Sequence, residues 1–454
     1  MTRSIRNAQI LPANSGSLRS QAGLCLPHQP AHLKTVKPRS IIGSARSQEI
    51  EDRDLTRLQI PSLFLFHLGS NPGYAISPTE KLFYSVGLEL ACGDPSLVHF
   101  GYRNLDRGQP KTLPEQCTNV IAFDFSDRDL HNIQRLAAYV ERNKIRLLVI
   151  YDIQPAHPLF RQVRRAGVRT ILAFYGSEIS SLMPWWKLTL KKLLFAMSRS
   201  KVDGLIFESR AMADLAINGR GVPPSMIDVV HTGVDITVLR PGKSDYVYRA
   251  LSLPSDRKVV VYAGHVKPHK GIETLVDAAI ELLVPRRRSD VCFLICGHTD
   301  EKSKQYERKC ADLGIGSMVC FSGYRSDLAE ILPDCFCGVI PSTGYDSFPR
   351  TAIEMAACGL PVVGSRLQGI PETVLEKETG LLFEPGNAQA LADCIETLLD
   401  HPDLAAEYGR RGRLRCEQEL NIENQRKRLL TVICKRLDPS LKPQVPDGIL
   451  ERRP

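Results

Sequence analysis

The feature that most constrains this chain is a rhythm. Short unbroken apolar runs alternate with stretches of helical spacing, and the pattern occurs twice. In the first half, Leu63-Phe64-Leu65-Phe66-His67-Leu68 reads as a buried strand that ends in Gly69-Ser70-Asn71-Pro72-Gly73 and leads into a helix. Residues 146–151, 169–174 and 204–207 read as further strands, with helices over 159–166 and 187–199. The rhythm pauses at Val238-Leu239-Arg240-Pro241-Gly242-Lys243 and restarts with a strand over 259–263. Apolar residues at 272, 275, 276, 279, 282 and 283 have helical spacing. Strands follow at 291–296, 318–322 and 336–340, then a helix from Phe348 to Cys358 and a strand over 361–364. Continuous apolar strands separated by helices build parallel sheets covered on both faces. The expected fold is therefore α/β, with two doubly wound Rossmann-like lobes facing a central cleft. Ligands of such sheets sit at the carboxyl ends of the strands.

The expected boundaries follow. Residues 1–57 form a disordered extension, 58–240 a first Rossmann-like lobe and 241–420 a second. A helix over 421–437 is placed to return to the first lobe, and 438–454 form a disordered tail. Of the formal charge of +9, residues 1–50 carry +6, from seven basic side chains and Glu49. The tail reads as disordered from its Ser, Arg, Gln and Pro content; a transit peptide or an over-long start would look the same. The body is close to neutral, so a strongly basic nucleic-acid binder is excluded and no nucleic-acid partner is expected. No run reaches the roughly 18 apolar residues of a membrane span. Thirteen scattered cysteines without paired metal spacing suit reduced thiols in a cytoplasmic protein. No metal is expected.

Two loops carry the chemistry. His265-Val266-Lys267-Pro268-His269-Lys270-Gly271 follows a strand and opens a helix. Backbone N–H groups and a helix dipole there suit a phosphate, and Lys270 adds a positive charge; alone, the loop reads equally well as a solvated basic turn. The second loop is Pro341-Ser342-Thr343-Gly344-Tyr345-Asp346-Ser347-Phe348-Pro349-Arg350. Ser347 is the expected N-cap of the next helix, with Gly359 as its stop. Glu354 lies roughly 10 Å along from the cap, about the reach from a pyrophosphate to a ribose. A lone Glu at such a place is usually a surface residue. No Gly-x-Gly-x-x-Gly follows a strand, which argues against a dinucleotide dehydrogenase.

Taken together, loop 264–271, segment 341–364 and the stretch from Gly369-Ile370-Pro371-Glu372 to Gly386 resemble one family, the retaining nucleotide-sugar glycosyltransferases of family 4 (group 1), with the GT-B fold. His231-Thr232-Gly233-Val234-Asp235 is similar to that family's loop at the end of the first lobe. The resemblance implies that Lys270 binds the donor diphosphate, Glu354 the ribose and Asp346 the donor sugar. It implies that Ser347, Phe348 and Pro349 cradle phosphate. It also implies transfer of a hexosyl group to a glycan or glycolipid hydroxyl with retention, in cell-surface polysaccharide synthesis. The nucleoside-diphosphate sugar is then a co-substrate, and no cofactor is expected.

Departures from the pattern matter too. His265 stands where the family usually has Arg. Tyr175 stands where a His often sits near the anomeric centre, and at an ordinary pKa of about 10 it is a poor base. His157 is a candidate for the acceptor side, though a lone His in a loop is more often structural; Gly69 and Gly73 allow close backbone approach to the donor or acceptor, or form a plain tight turn. Both tryptophans lie beside three lysines in Pro184–Phe195; that composition suits either a membrane-surface helix or, the preferred reading, a half-buried helix beneath the next strand. Two rivals remain: a non-catalytic sugar-nucleotide or glycan binder, and another GT-B enzyme such as an epimerase or a phosphorylase.

Overall fold

Along β4 (Leu147–Tyr151), Leu148 and Ile150 enter one core while Leu147, Val149 and Tyr151 enter the other. Such a strand is stable only with apolar layers above and below, and the chain supplies both. The computed structural model describes residues 59–441 except 72, 74–75, 126–128, 178–183, 199 and 299. The expectations for residues 1–57 and 442–454 lie outside the described residues.

The first lobe is a seven-stranded parallel sheet of β1 (Ser62–Phe66), β2 (Val98–Tyr102), β3 (Val120–Ala122), β4, β5 (Thr170–Tyr175), β6 (Gly204–Phe207) and β7 (Ile227–Val229). Its order is β3-β2-β1-β4-β5-β6-β7. Central β1 pairs in register with both neighbours, Phe64 opposite Phe100 and Val149. The covering helices are α1 (Ser77–Leu90), α2 (Leu130–Arg142), α3 (Leu159–Arg165), α4 (Trp185–Met197) and α5 (Arg210–Arg220).

The second lobe holds β8 (Lys258–Ala263), β9 (Val291–Cys296), β10 (Val319–Gly323), β11 (Cys337–Ile340), β12 (Val362–Ser365) and β13 (Gly380–Phe383). All are parallel, in the order β10-β9-β8-β11-β12-β13. Its helices are α6 (Tyr246–Leu251), α7 (Ile272–Leu283), α8 (Glu301–Asp312), α9 (Leu328–Ile331), α10 (Arg350–Ala357), α11 (Ile370–Thr373), α12 (Ala388–Asp400) and α13 (Pro402–Gln418). The Pro-Gly linker is braced from α13, where Arg413 donates to the carbonyls of Leu239 (2.6 Å) and Ala357 (2.7 Å).

Helix α14 (Ile422–Arg436) returns to the first lobe. Leu429, Leu430 and Ile433 are buried in the same core as Phe64 and Phe100. Arg436 and Lys435 pair with Asp228 of β7 at 2.6 and 2.8 Å. Residues 438–441 do not belong to a disordered tail: Asp438 N–H donates to Thr170 Oγ1 at 2.9 Å, and Pro439–Leu441 form a 3-10 turn.

Helix α4 departs from the preferred expectation. It is not packed beneath a strand; none of its residues is buried, and Trp185 is 79% exposed. Among the described residues no helix is long and apolar enough to cross a membrane.

Candidate functional site

The carboxyl ends of both sheets face a cavity of about 600 Å³, within the usual size of a small-molecule site. The second lobe supplies Gly264, His265 and Lys270 after β8, His298 after β9, Tyr324 and Arg325 after β10, and Ser342 with residues 346–351 after β11. The first lobe supplies His67, Leu68, Gly73, Tyr151, Asp152, Gly176, Ser177 and Glu208.

Lys270 is placed by Gly271. That glycine has φ +71, and a Cβ there would lie 1.8 Å from the Pro341 carbonyl oxygen. Only glycine permits both the left-handed turn and the approach. The two phosphate-type loops are thereby pressed together. Lys270 Nζ donates to Asp346 Oδ2 at 2.8 Å, and Ser342 Oγ donates to the same oxygen at 2.7 Å. Asp346 is 6% exposed, and its own N–H is held by Gln368 at 3.0 Å. An ammonium has three donors, so this ion pair leaves Lys270 able to bind an anion in the cavity.

The next helix starts later than expected. Ser347 is not its cap; α10 begins at Arg350 after Pro349, with no side-chain cap. The Ser347 hydroxyl instead donates across the cleft to the Gly176 carbonyl at 3.1 Å. The uncapped N-terminus of α10 opens toward the cavity, where Phe348, Pro349, Arg350 and Thr351 form the wall. Glu354 is buried one turn further on, 3% exposed, and is not part of that wall. The cleft thus brings Lys270, Asp346 and the helix N-terminus together, with the Glu354 carboxylate set behind them.

The first-lobe wall corrects three expectations. Tyr175 is in the core, not at the reaction centre: it stacks on Phe207 at 4.8 Å and its hydroxyl donates to the Ile153 carbonyl. Its alternation along β5 sends it inward, and Gly176 and Ser177 reach the cavity in its place. His157 is structural. It is 6% exposed, its Nδ1 accepts from Leu159 N–H at 3.2 Å, and it is absent from the cavity wall. Gly69 also lies off the wall; its neighbour there is Asn104, whose Oδ1 would sit 2.5 Å from a Cβ. Gly73 does line the cavity.

Residues that the motifs did not single out fill the places left. Asp152, at φ +57 just beyond β4, accepts from Gly176 and Ser177 N–H at 3.0 and 3.1 Å. Glu208 stands just beyond β6. Burial pushes its carboxyl up to about 7 against the opposing pull of Arg350. Burial also raises Asp152, more than His67 lowers it. The signal for both was position: each is the first residue past a strand that points at the cleft.

The cavity is therefore polarised. Acidic Asp152 and Glu208 lie on the first-lobe side, and Lys270, Arg325 and Arg350 on the second. Burial, then Lys267 and Lys270, lower the imidazole of His265, so it is neutral at pH 7. The clamp's charge at that corner rests on Lys270.

A further contact spans the lobes. Glu372 at α11 accepts from the N–H groups of Arg210 and Ala211 at 2.9 and 2.8 Å, at the start of α5. It also meets His231 Nε2 at 3.1 Å, and the His231 ring stacks on Phe348 at 5.0 Å. Burial would raise Glu372, but these donors outweigh it and hold the carboxyl below its usual range.

Two Rossmann-like lobes around a polarised cleft define a GT-B protein. The description "Glycosyltransferase Family 4" fits residues 96–238, and "Glycosyl transferases group 1" fits residues 248–415. The chain belongs to this glycosyltransferase family. It is 36% identical over 211 residues to the D-inositol 3-phosphate glycosyltransferase of Acidothermus cellulolyticus, covering 45% of this chain and 46% of that protein. The Mycobacterium bovis protein of the same name is 34% identical over 201 residues, 44% of this chain and 41% of that one. The match thus spans less than half the length of these relatives. Among solved structures, the fold is similar to Anabaena HepE in complex with UDP, with a TM-score of 0.66 and 17% identity, covering 83% of this chain and all of that one. It is also similar to a glycosyltransferase from Rickettsia africae, with a TM-score of 0.68 and 15% identity over 83% of this chain and 98% of that one.

Proposed function

We propose that the protein transfers a hexosyl group from a nucleoside-diphosphate sugar to a glycan or glycolipid hydroxyl, with retention of anomeric configuration. One observation carries this reading: Lys270, Asp346 and the N-terminus of α10 converge on one cavity. The ammonium and the helix end stabilise the departing diphosphate, where negative charge develops. Asp346 and Ser342 orient the donor sugar. The bond from the anomeric carbon to the phosphate oxygen breaks, and the acceptor oxygen bonds on the same face. The acceptor proton passes to the leaving phosphate.

The acceptor enters from the first lobe. Among its described residues that line the cavity there is no lysine or arginine, while Asp152 and Glu208 are present. Such a wall disfavours an acceptor phosphate and suits neutral hydroxyls, which donate to carboxylates. This chain's acceptor would then differ from the inositol phosphate named for its relatives.

The test is incubation of purified protein with UDP- and GDP-hexoses, with and without neutral and phosphorylated glycan acceptors. Nuclear magnetic resonance then reads the anomeric configuration of the product. Glycoside of the donor's configuration, lost in Lys270→Ala, supports the reading. Binding without turnover of any donor refutes it in favour of a binding protein.

A further inference from the structure

Helix α4 has its faces reversed relative to a helix that covers a sheet. Its apolar residues Trp186, Leu190, Leu193 and Met197 recur at the spacing of one helical stripe, and they are 54%, 52%, 56% and 67% exposed. Residues at this spacing share one face. That face points away from the protein. On the opposite side Leu188, Lys191 and Phe195 are half-buried. Lys187 and Lys192 flank the outward stripe, and Lys187 Nζ lies 5.1 Å from the Trp186 ring. There is no acidic residue from Trp185 to Met197.

The helix is nonetheless fixed to the fold. Gly221, at the end of α5 with φ +72, brings that backbone so close that a Cβ would meet Lys192 Cγ at 2.6 Å and its N at 3.1 Å. Lys201 Nζ lies 5.5 Å from the Phe195 ring. A helix that holds two tryptophans and three leucines toward solvent forfeits hydrophobic free energy unless something covers them.

Charge selects the cover. The chain's own residues 1–50 carry +6 and a second copy of the helix carries the same lysines, so both are repelled. An outward apolar stripe edged by lysines, with tryptophan at one end, matches the layered chemistry of an anionic bilayer surface. We propose that α4 seats the protein on anionic lipid, with the stripe in the acyl boundary and Lys187 and Lys192 at the headgroups. The connection into α4 leaves β5 through Gly176 and Ser177, which line the cavity. The seating stands independently of the transferase reading.

The chain contains two tryptophans, and both are in α4, so its intrinsic emission reports this helix alone. The full-length protein is mixed with neutral phosphatidylcholine vesicles and with vesicles enriched in phosphatidylglycerol. The expected result is co-sedimentation with the anionic vesicles, a blue shift of emission and quenching by brominated acyl chains. Leu190→Glu/Leu193→Glu keeps both tryptophans and, because its sites are exposed, keeps the melting temperature; it abolishes the shift. Lys187→Gln/Lys192→Gln weakens binding by about fivefold per lysine. Three results would overturn the proposal. One is sedimentation with unshifted emission, which assigns lipid contact to another part of the chain. Another is Leu190→Glu/Leu193→Glu binding vesicles like the wild type. The third is a wild-type dimer without lipid that the same substitution disperses, which assigns the stripe to a second copy.

Discussion

Lys270 and Asp346 form a pair whose acid is almost wholly enclosed. Removing the cation leaves a buried carboxylate uncompensated, which is the costly way to break such a pair. Lys270→Ala should lower stability by about 3 kcal/mol, and the second change Asp346→Asn should restore most of it. Donor affinity should fall by about 2 kcal/mol in both variants, because neutralising Asp346 does not replace the ammonium. Denaturation and calorimetric titration of the two variants separate these effects. Glu208 makes a pH-dependent prediction. Its carboxyl is raised from 4.5 to about 7 in the folded chain, so its favourable contribution is full below the unfolded value. It is lost as pH rises through the folded value. Glu208→Gln should thus match the wild type near pH 4. It should exceed it by about 3 kcal/mol above pH 8; parallel unfolding curves at both pH values check this. Residue-level legibility followed chemistry that needs a fixed type. Lys270 was readable because a cation beside a glycine stands in a strand-to-helix loop, and Asp346 only because its segment resembles the family's. Tyr175 and His157 were misread because strand alternation and a local backbone bond, not residue type, decide where they point.

At the scale of elements, the sequence rhythm located what burial enforces. Helix α7 spans the expected 272–283 and β9 the expected 291–296, since each is an apolar pattern bounded by turns. Strand β2 was not legible, because Val-His-Phe-Gly-Tyr breaks its apolar run with a histidine and a glycine. The start of α10 slipped to Arg350, since Ser347 satisfies the Gly176 carbonyl across the cleft rather than its own helix. Contacts between lobes have no sequence period, so they cannot be read from one chain segment. Glu372 shows the consequence. Its carboxylate caps a helix of the other lobe, and its depressed pKa makes that contribution present above its ordinary value of 4.5 and lost on acidification through the folded value. Glu372→Gln should weaken lobe apposition by about 2 kcal/mol at pH 7. The expected readouts are a larger radius of gyration in small-angle scattering and a lower kcat, with the difference from wild type shrinking at acid pH.

At the scale of the whole molecule, two sheets that bury both faces leave only their strand ends for function. Setting those ends against each other produces one cavity with an acidic wall and a basic wall. The division of labour follows from that polarity, with an anion held by the second lobe and hydroxyls by the first. The most direct test is titration of UDP, GDP and ADP into the wild type and Lys270→Ala, with the melting temperature followed alongside. A ligand that binds only the folded chain, at about 100 times its Kd, adds about 2.7 kcal/mol to stability. At least one of these diphosphates should raise the wild-type melting temperature, and Lys270→Ala should lose most of that rise. No rise with any of them, or equal binding by the variant, would contradict it.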